Sequence, residues 1–146
     1  MRTAPKLTVL ALVAAAFTLG AAWQQQAQIQ YYGSNLNRPL ANAVRNGTTV
    51  YLSGQIGRGE GIEAQTRAAM ESVKTRVEEV GGTMDDIVKC LVMLTDMSNF
   101  SAMNSVYTTY FMKHRPARSA FGVSGLAGGA IIEVECIAVL GARDVN

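Results

Sequence analysis

The apolar run from Ile87 to Thr95 (IVKCLVMLT) is the feature that most constrains the fold of this chain. It has the length of a strand, and it is too apolar to be exposed on both faces. Ahead of it, apolar residues recur at helical spacing between Ile62 and Val80 opposite a charged face, and Gly81-Gly82 ends the pattern. The sequence therefore predicts an amphipathic helix that covers one face of the sheet containing this strand.

The remaining pattern predicts a second helix and five further strands. The helix is expected from Phe100 to Lys113, and the strands over 28–32, 40–44, 48–52, 117–123 and 130–140. Asn46-Gly47 predicts one hairpin turn, and the last two strands are expected to form another hairpin. Hairpins at both ends favour an α+β fold, a mixed or antiparallel sheet with two helices on one face. The bare face then needs a cover, and another subunit is the expected one.

The N-terminal segment has the pattern of a secretory signal peptide. Arg2 and Lys6 precede an apolar run over 7–20, and the small residues Gly20-Ala21-Ala22 follow it. Residues 1–22 are therefore expected to be removed, which leaves a single domain over 23–146, periplasmic or secreted and without stable insertion in the membrane. The alternative is an uncleaved anchor, although the run falls short of the ~20 apolar residues that a spanning helix needs.

Composition argues against two classes of function. Without Arg2 and Lys6, 11 basic residues face 11 acidic ones, so the basic excess of a nucleic-acid-binding protein is missing. A single histidine, His114, and the lack of a CxxC pair argue against a metal site. Residues 113–115 (Lys-His-Arg) are interpreted as a solvated helix end, and the alternative is a phosphate patch that also includes Arg118.

Two cysteines, Cys90 and Cys136, each lie in the middle of a strand-like apolar run. Free cysteine in such a setting behaves as a small buried hydrophobe, so two free thiols are predicted. Export would permit a disulfide between them, which stays the alternative.

Arg118 and Glu133 are the candidate functional pair. If the last two strands pair, a guanidinium that grips a ligand carboxylate and an acid/base group come to serve one cavity. Glu133 and Glu135 share a strand face with apolar neighbours, and burial there suits a carboxyl group to proton transfer. The alternatives are a wet rim or a subunit ion pair for the glutamates, and their simple neutralisation by Arg118.

Several short segments, in order and at matching spacing, resemble the YjgF/RidA family of reactive-intermediate deaminases. They are Arg38–Val44, Ser53–Ile56, Ala64–Arg67, Asp85–Lys89, Thr95–Met97, Met103–Tyr107, Pro116–Ser119 and Glu133–Ala138. The resemblance implies a chorismate-mutase-like α+β fold, a homotrimer with sites between subunits, and no cofactor. It also implies an imino-acid substrate, hydrolysed as by a 2-iminobutanoate/2-iminopropanoate deaminase to a 2-keto acid and ammonia.

The resemblance also assigns roles to single residues. Arg118 corresponds to the arginine that binds the substrate carboxylate, and Glu133 to the glutamate that positions or activates the hydrolytic water. Gly54 and Asn104 correspond to residues that line the pocket. Ala120 stands where the family often has cysteine, and its backbone carbonyl is retained.

Leu40 departs from the family pattern, because a tyrosine usually stands there and its hydroxyl contacts the substrate. The pocket is therefore expected to be larger or drier, with a changed substrate preference or weaker turnover. This departure favours the alternative function, a non-catalytic 2-keto acid binding protein or stress-related holdase that uses the same inter-subunit cleft. A ribonuclease activity, sometimes attached to the family, is disfavoured by the neutral mature charge and the lack of a histidine pair.

Overall fold

The computed structural model describes residues 28–141, and the predicted signal peptide with its cleavage point lies outside them. The described strands are β1 (Ile29–Tyr32), β2 (Ala43–Asn46), β3 (Thr49–Leu52), β4 (Gln55–Ile56), β5 (Ile87–Leu94), β6 (Ala117–Gly122) and β7 (Ile132–Val139). The described α-helices are α1 (Gly61–Glu79) and α2 (Phe100–Tyr107), and short 3-10 turns cover Met84–Asp86, Met97–Asn99, Thr108–Tyr110 and Ala127–Gly129.

The strands form a mixed sheet in the order β1-β2-β3-β7-β5-β6, and the short β4 also pairs with β7. Every pair is antiparallel except β5–β6. The predicted α+β class and the N-terminal hairpin β2–β3 are confirmed. Gly47 takes a φ of +62° in that hairpin turn, a conformation that glycine adopts at no steric cost.

The predicted pairing of the last two strands is wrong, because β5 lies between β6 and β7. β5 and β7 alternate fully buried side chains with partly covered ones. Central positions in the sheet, with a paired strand on each side, therefore stabilise these two strands most. β6 has no fully buried residue and carries Arg118 and Ser119, so it occupies the edge of the sheet. The run of apolar residues identifies the strands, but it does not say which strands are neighbours.

Three boundaries also differ from the predictions. β2 begins at Ala43 instead of Leu40, and β4 was not predicted at all. α2 ends at Tyr107 and continues as a single 3-10 turn, well short of Lys113. In that turn the hydroxyls of Thr108 and Thr109 donate to backbone carbonyls three residues earlier, the local competition by which threonine weakens a helix end.

The core lies between the two helices and one face of the sheet. Its fully buried side chains on α1, β5 and β7 are Ala69, Met70, Val73, Val77, Val92, Leu94, Ile132 and Val134. Burial of one large aliphatic side chain stabilises the fold by about 1.5–3 kcal/mol relative to its exposure. The predicted placement of both helices on one face is thus explained by where the apolar residues of β5 and β7 point.

Cys90 and Cys136 form a disulfide, so the prediction of two free thiols is wrong. The two residues are direct partners in the β5–β7 register, with their Cα atoms 4.1 Å apart. Only 0% and 1% of their surface is exposed, so the bond lies inside the core. Directly opposed residues on one face of an antiparallel pair have neighbouring Cβ atoms, and only the register reveals this.

Replacing both cysteines, Cys90→Ala with Cys136→Ala, is expected to lower the free energy of unfolding by about 2–5 kcal/mol. The bond links residues separated by 46 positions, and its loss frees the unfolded chain as well as removing buried sulfur. Urea unfolding of the oxidised protein and the variant measures the difference. Equal midpoints and slopes would contradict a disulfide in the folded protein, and thiol titration of the denatured wild type without reductant is the control.

Candidate functional site

The Arg118 guanidinium is held at three points beneath α2. Its register partner on β5 is the core residue Cys90, so the Arg118 side chain leaves the sheet on the helix-covered face. Nη2 of Arg118 donates a hydrogen bond to Oδ1 of Asn104 at 2.8 Å. Cζ lies 4.6 Å from the ring centre of Tyr107 and 5.5 Å from that of Phe100. Both distances fall within the range of cation–π attraction.

The three partners of Arg118 all come from α2. Phe100, Asn104 and Tyr107 are spaced i, i+4, i+7 and therefore share one side of the helix. The sequence pattern did not predict the contact of either aromatic residue with Arg118. Tyr107 is 3% exposed and also packs on Phe111, whereas Phe100 is 38% exposed at the edge. The helical spacing of Asn104 between the two rings is the signal that could have revealed the contact.

The hydroxyl of Tyr107 is buried and has no hydrogen-bond partner among the described residues. Burial raises the pKa of Tyr107 to about 12, while the positive charges of Arg118 and Arg115 act in the opposite direction. A buried polar group without a partner costs about 1–3 kcal/mol. The hydroxyl is therefore a neutral donor with free hydrogen-bonding capacity next to two guanidinium groups.

A cavity of about 270 Å³ adjoins the Arg118 guanidinium. Its lining residues are Asn104, Tyr107, Thr108, Arg115, Pro116 and Arg118. Arg115 was predicted to belong to a solvated helix end, and its Nη1 indeed donates to the backbone carbonyl of Thr108 at the end of α2. The same side chain also lines the cavity together with Arg118, and the alternative interpretation as a phosphate patch had grouped these two arginines.

Glu133 lies on the other face of the sheet, away from the helices. It is half-buried, and its register partners are Ile56 on β4 and Met93 on β5. Gly54 lies directly against it, since a Cβ atom at Gly54 would come within 1.9 Å of Oε1 of Glu133. The lack of a side chain at Gly54 is thus what leaves room for this carboxylate. Glu135 shares the face and is exposed.

One chain does not bring Arg118 and Glu133 together, so the prediction of a cavity shared within a hairpin is wrong. β5 lies between their strands, and the two side chains leave the sheet on opposite faces. Two strand spacings and three residues along β7 separate their backbones by roughly 14 Å. The predicted site residues therefore form two groups, Arg118 with Asn104 and Glu133 with Gly54.

Ala120 and Leu40 differ in how they relate to these groups. Ala120 follows Arg118 on the same face of β6, half-buried beside its register partner Val92. Leu40 lies in the loop that joins β1 and β2, the two strands at the sheet edge opposite β6, and it is 54% exposed. Ala120 thus lies with the arginine group, and Leu40 does not.

Neither a metal cluster nor a membrane span is found in the described part of the chain. Among residues 28–141, no group of three or more His, Cys, Asp or Glu side chains is placed to hold a metal ion. In the same range, no helix has both the length and the apolar character needed to cross a membrane.

The fold and the two groups define an α+β domain that presents a fixed guanidinium on one face of its sheet and a carboxylate on the other. Residues 35–140 match the sequence profile of the family described as Endoribonuclease L-PSP. A solved structure described as a member of the YjgF/YER057c/UK114 family, from Mycobacterium tuberculosis, matches with a TM-score of 0.72 and 29% identity, over 77% of this chain and all of that one. The chain belongs to this YjgF/RidA family, as its sequence motifs predicted.

Relatives in the family include named deaminases. A RutC family protein of Pyrococcus abyssi is 38% identical over 109 residues, which cover 68% of this chain and 85% of the relative. The 2-iminobutanoate/2-iminopropanoate deaminase of Mus musculus is 34% identical over 111 residues, covering 70% and 82%. The solved structure of RidA from an Antarctic Psychrobacter has a TM-score of 0.69 at 34% identity and covers 80% of this chain and all of that one.

Replacing Tyr107 by Phe is expected to leave stability at neutral pH unchanged or slightly higher, because the change removes a buried hydroxyl without a partner. The wild type should also lose stability as the pH rises from about 10 to about 12, since the unfolded tyrosine ionises first and the folded one resists until its raised pKa is reached. Tyr107→Phe should lose less over that range.

Urea unfolding midpoints between pH 8 and pH 11.5 measure this difference. Tyr31→Phe, at an exposed tyrosine of β1, is the matched control. Parallel losses in Tyr107→Phe and the wild type would show that the Tyr107 hydroxyl is not held in its neutral form by the fold.

Proposed function

We propose that this protein hydrolyses enamine and imine intermediates of amino acids to 2-keto acids and ammonia without a cofactor. The observation that carries the proposal is the fixed Arg118 guanidinium beside a cavity. A guanidinium presents five N–H donors in a planar fork that matches a carboxylate, and Asn104 occupies only one nitrogen. The deaminase names of relatives 32–34% identical to this chain support the same reaction class.

In the proposed reaction, Arg118 binds the carboxylate of the imino acid by two parallel hydrogen bonds and orients the C=N group. Glu133 accepts a proton from a water molecule, whose oxygen adds to the imine carbon and gives a carbinolamine. That proton passes to the nitrogen and completes the carbinolamine. Glu133 then takes the proton of the new hydroxyl group and delivers it to the nitrogen, so that the C=O group forms, the C–N bond breaks and ammonia leaves. No electrons are exchanged, and positioning supplies most of the acceleration because imines hydrolyse without catalysis.

Because the Arg118 group and the Glu133 group are separated within one chain, we propose that the site is shared between neighbouring subunits of a homotrimer. A row of apolar side chains crosses the open face in direct register: Tyr31, Val44, Tyr51 and Ile137. Tyr31 and Tyr51 are largely exposed in one chain. Covering this row with a second copy would bury apolar surface, and it would carry the Glu133 of one subunit toward the Arg118 of the next.

Complementation between two inactive variants tests the shared site. Arg118→Ala and Glu133→Gln are each expected to lower turnover by about 100-fold or more, since each loses a group that fixes a reacting partner. Co-assembled one to one, they should recover about one quarter of wild-type activity, because one site in four combines both intact residues from neighbouring subunits. The release of keto acid from imines made by an amino-acid oxidase measures the activity.

The two variants mixed after separate assembly are the control, and they should stay inactive. If the co-assembled sample also stays inactive while each variant forms a trimer by light scattering, the two residues do not meet across an interface. Full activity of Arg118→Ala alone would remove the mechanism altogether.

A non-catalytic function, the binding of 2-keto acids in the same inter-subunit cleft, is the second candidate, and Leu40 favours it. At this position the chain offers an exposed apolar side chain where the family pattern has a hydroxyl. Arg118-dependent binding of 2-oxobutanoate by a folded trimer that accelerates no imine would establish this candidate in place of the first.

We further propose that the protein works in an oxidising compartment outside the cytosol. The Cys90–Cys136 disulfide supports this proposal, because such bonds are rare where cytosolic thiols are kept reduced. The charged, apolar and small residues of the first 22 positions support it independently.

Mass spectrometry of the protein recovered from the cells that make it is expected to show a chain that begins at Trp23, without residues 1–22, and two hydrogens lighter than the dithiol form. The same protein after reduction is the control for the mass of the disulfide. A chain that still carries the first 22 residues and two free thiols would contradict export.

A further inference from the structure

The cavity beside Arg118 holds a second guanidinium that the proposed reaction does not use. Arg115 comes three residues before Arg118, and both side chains line the same space of about 270 Å³. Thr108 fixes Arg115 through its backbone carbonyl, which accepts from Nη1 and leaves other N–H donors of Arg115 for a ligand. The cavity therefore offers two anchored cations at its wall.

Among residues 28–141, no acidic side chain lines this cavity. The carboxylate of Asp85 pairs at 2.9 Å with Lys113, which lies two residues before Arg115. This carboxylate is therefore already engaged by another cation. Two like charges that face one space repel each other unless an anion lies between them. The lining thus favours a ligand with more negative charge than one carboxylate.

The Tyr107 hydroxyl supplies a third polar group. The Tyr107 side chain lines the same cavity, and its hydroxyl is buried and lacks a partner among the described residues. Because it stays protonated, it can donate a hydrogen bond to an anionic oxygen. A ligand oxygen that reaches this buried donor would supply its missing hydrogen bond.

We infer that this cavity is a subsite for a second acidic group, so that the preferred substrates are imines of dicarboxylic amino acids. Arg118 would bind the carboxylate next to the imine carbon, and Arg115 with the Tyr107 hydroxyl would bind the carboxylate of the side chain. This inference rests on the proposed function and adds the substrate class to it. Sites built from charged donors discriminate strongly, because an uncharged substrate leaves those donors without a partner.

The test compares imines made in situ by amino-acid oxidases from aspartate and glutamate with those from alanine and 2-aminobutyrate. The wild type is expected to show a higher kcat/KM for the dicarboxylic pair. Arg115→Ala should lower the dicarboxylic-to-monocarboxylic ratio of kcat/KM by about tenfold or more, mainly through KM, and Arg115→Lys should lower it less. Tyr107→Phe should lower the same ratio by about threefold.

Lys74→Ala is the matched control, since it removes one positive charge from an exposed position of α1. Its ratio should equal that of the wild type. Equal ratios in the wild type and Arg115→Ala, or a wild-type preference for the monocarboxylic imines, would overturn the subsite.

A binding experiment separates this inference from the proposed function. The dissociation constants of 2-oxoglutarate and 2-oxobutanoate, measured by calorimetry, are expected to show tighter binding of the diacid that Arg115→Ala removes. If no imine is turned over and this difference persists, the proposed reaction fails and the subsite stands. If monocarboxylic imines are turned over and the diacid binds no better than the monoacid, the reaction stands and the subsite fails.

Discussion

The antiparallel pairing of β5 with β7 is the interaction on which the rest of the structure depends. These two strands occupy the centre of the sheet, and Val92, Leu94, Ile132 and Val134 on their helix-covered face are fully buried. At about 1.5–3 kcal/mol per large side chain, this strip contributes several times more than any single polar contact at the edges. The disulfide joins the same two strands at opposed positions, so covalent and apolar interactions fix the same register.

That register also decides where the functional groups can lie. Because side chains alternate along β7, an arrangement that buries Ile132 and Val134 must send Glu133 to the open face. The parallel pairing of β6 with β5 sends Arg118 to the opposite face, under α2. A single sheet therefore cannot bring Arg118 and Glu133 together. Their separation within one chain is a direct result of how the core packs. The proposed association between copies would bring the two groups together without any change of fold.

The positions of most helices and strands follow from the local sequence pattern. The order of the strands in the sheet does not, because it depends on which strands pair. The α1 periodicity, the apolar run of β5 and the turn before β3 each predicted their element within a few residues. The position of β5 between β6 and β7 could not be predicted, because composition identifies strands without naming their neighbours. The Cys90–Cys136 bond and the separation of Arg118 from Glu133 depend on that pairing, so both were missed for the same physical reason.

The stiffness of the arginine group comes from the core itself. α2 buries Met103 and Val106 and packs against α1, and this packing fixes the helix face that carries Phe100 and Tyr107. A free arginine side chain loses up to about 2 kcal/mol of rotamer entropy when a ligand orders it, whereas one already held between two rings has lost much of that freedom during folding. A lysine could neither stack in this way nor present a planar fork. The Arg118 guanidinium is thus fixed in place when α2 packs, before any ligand is present.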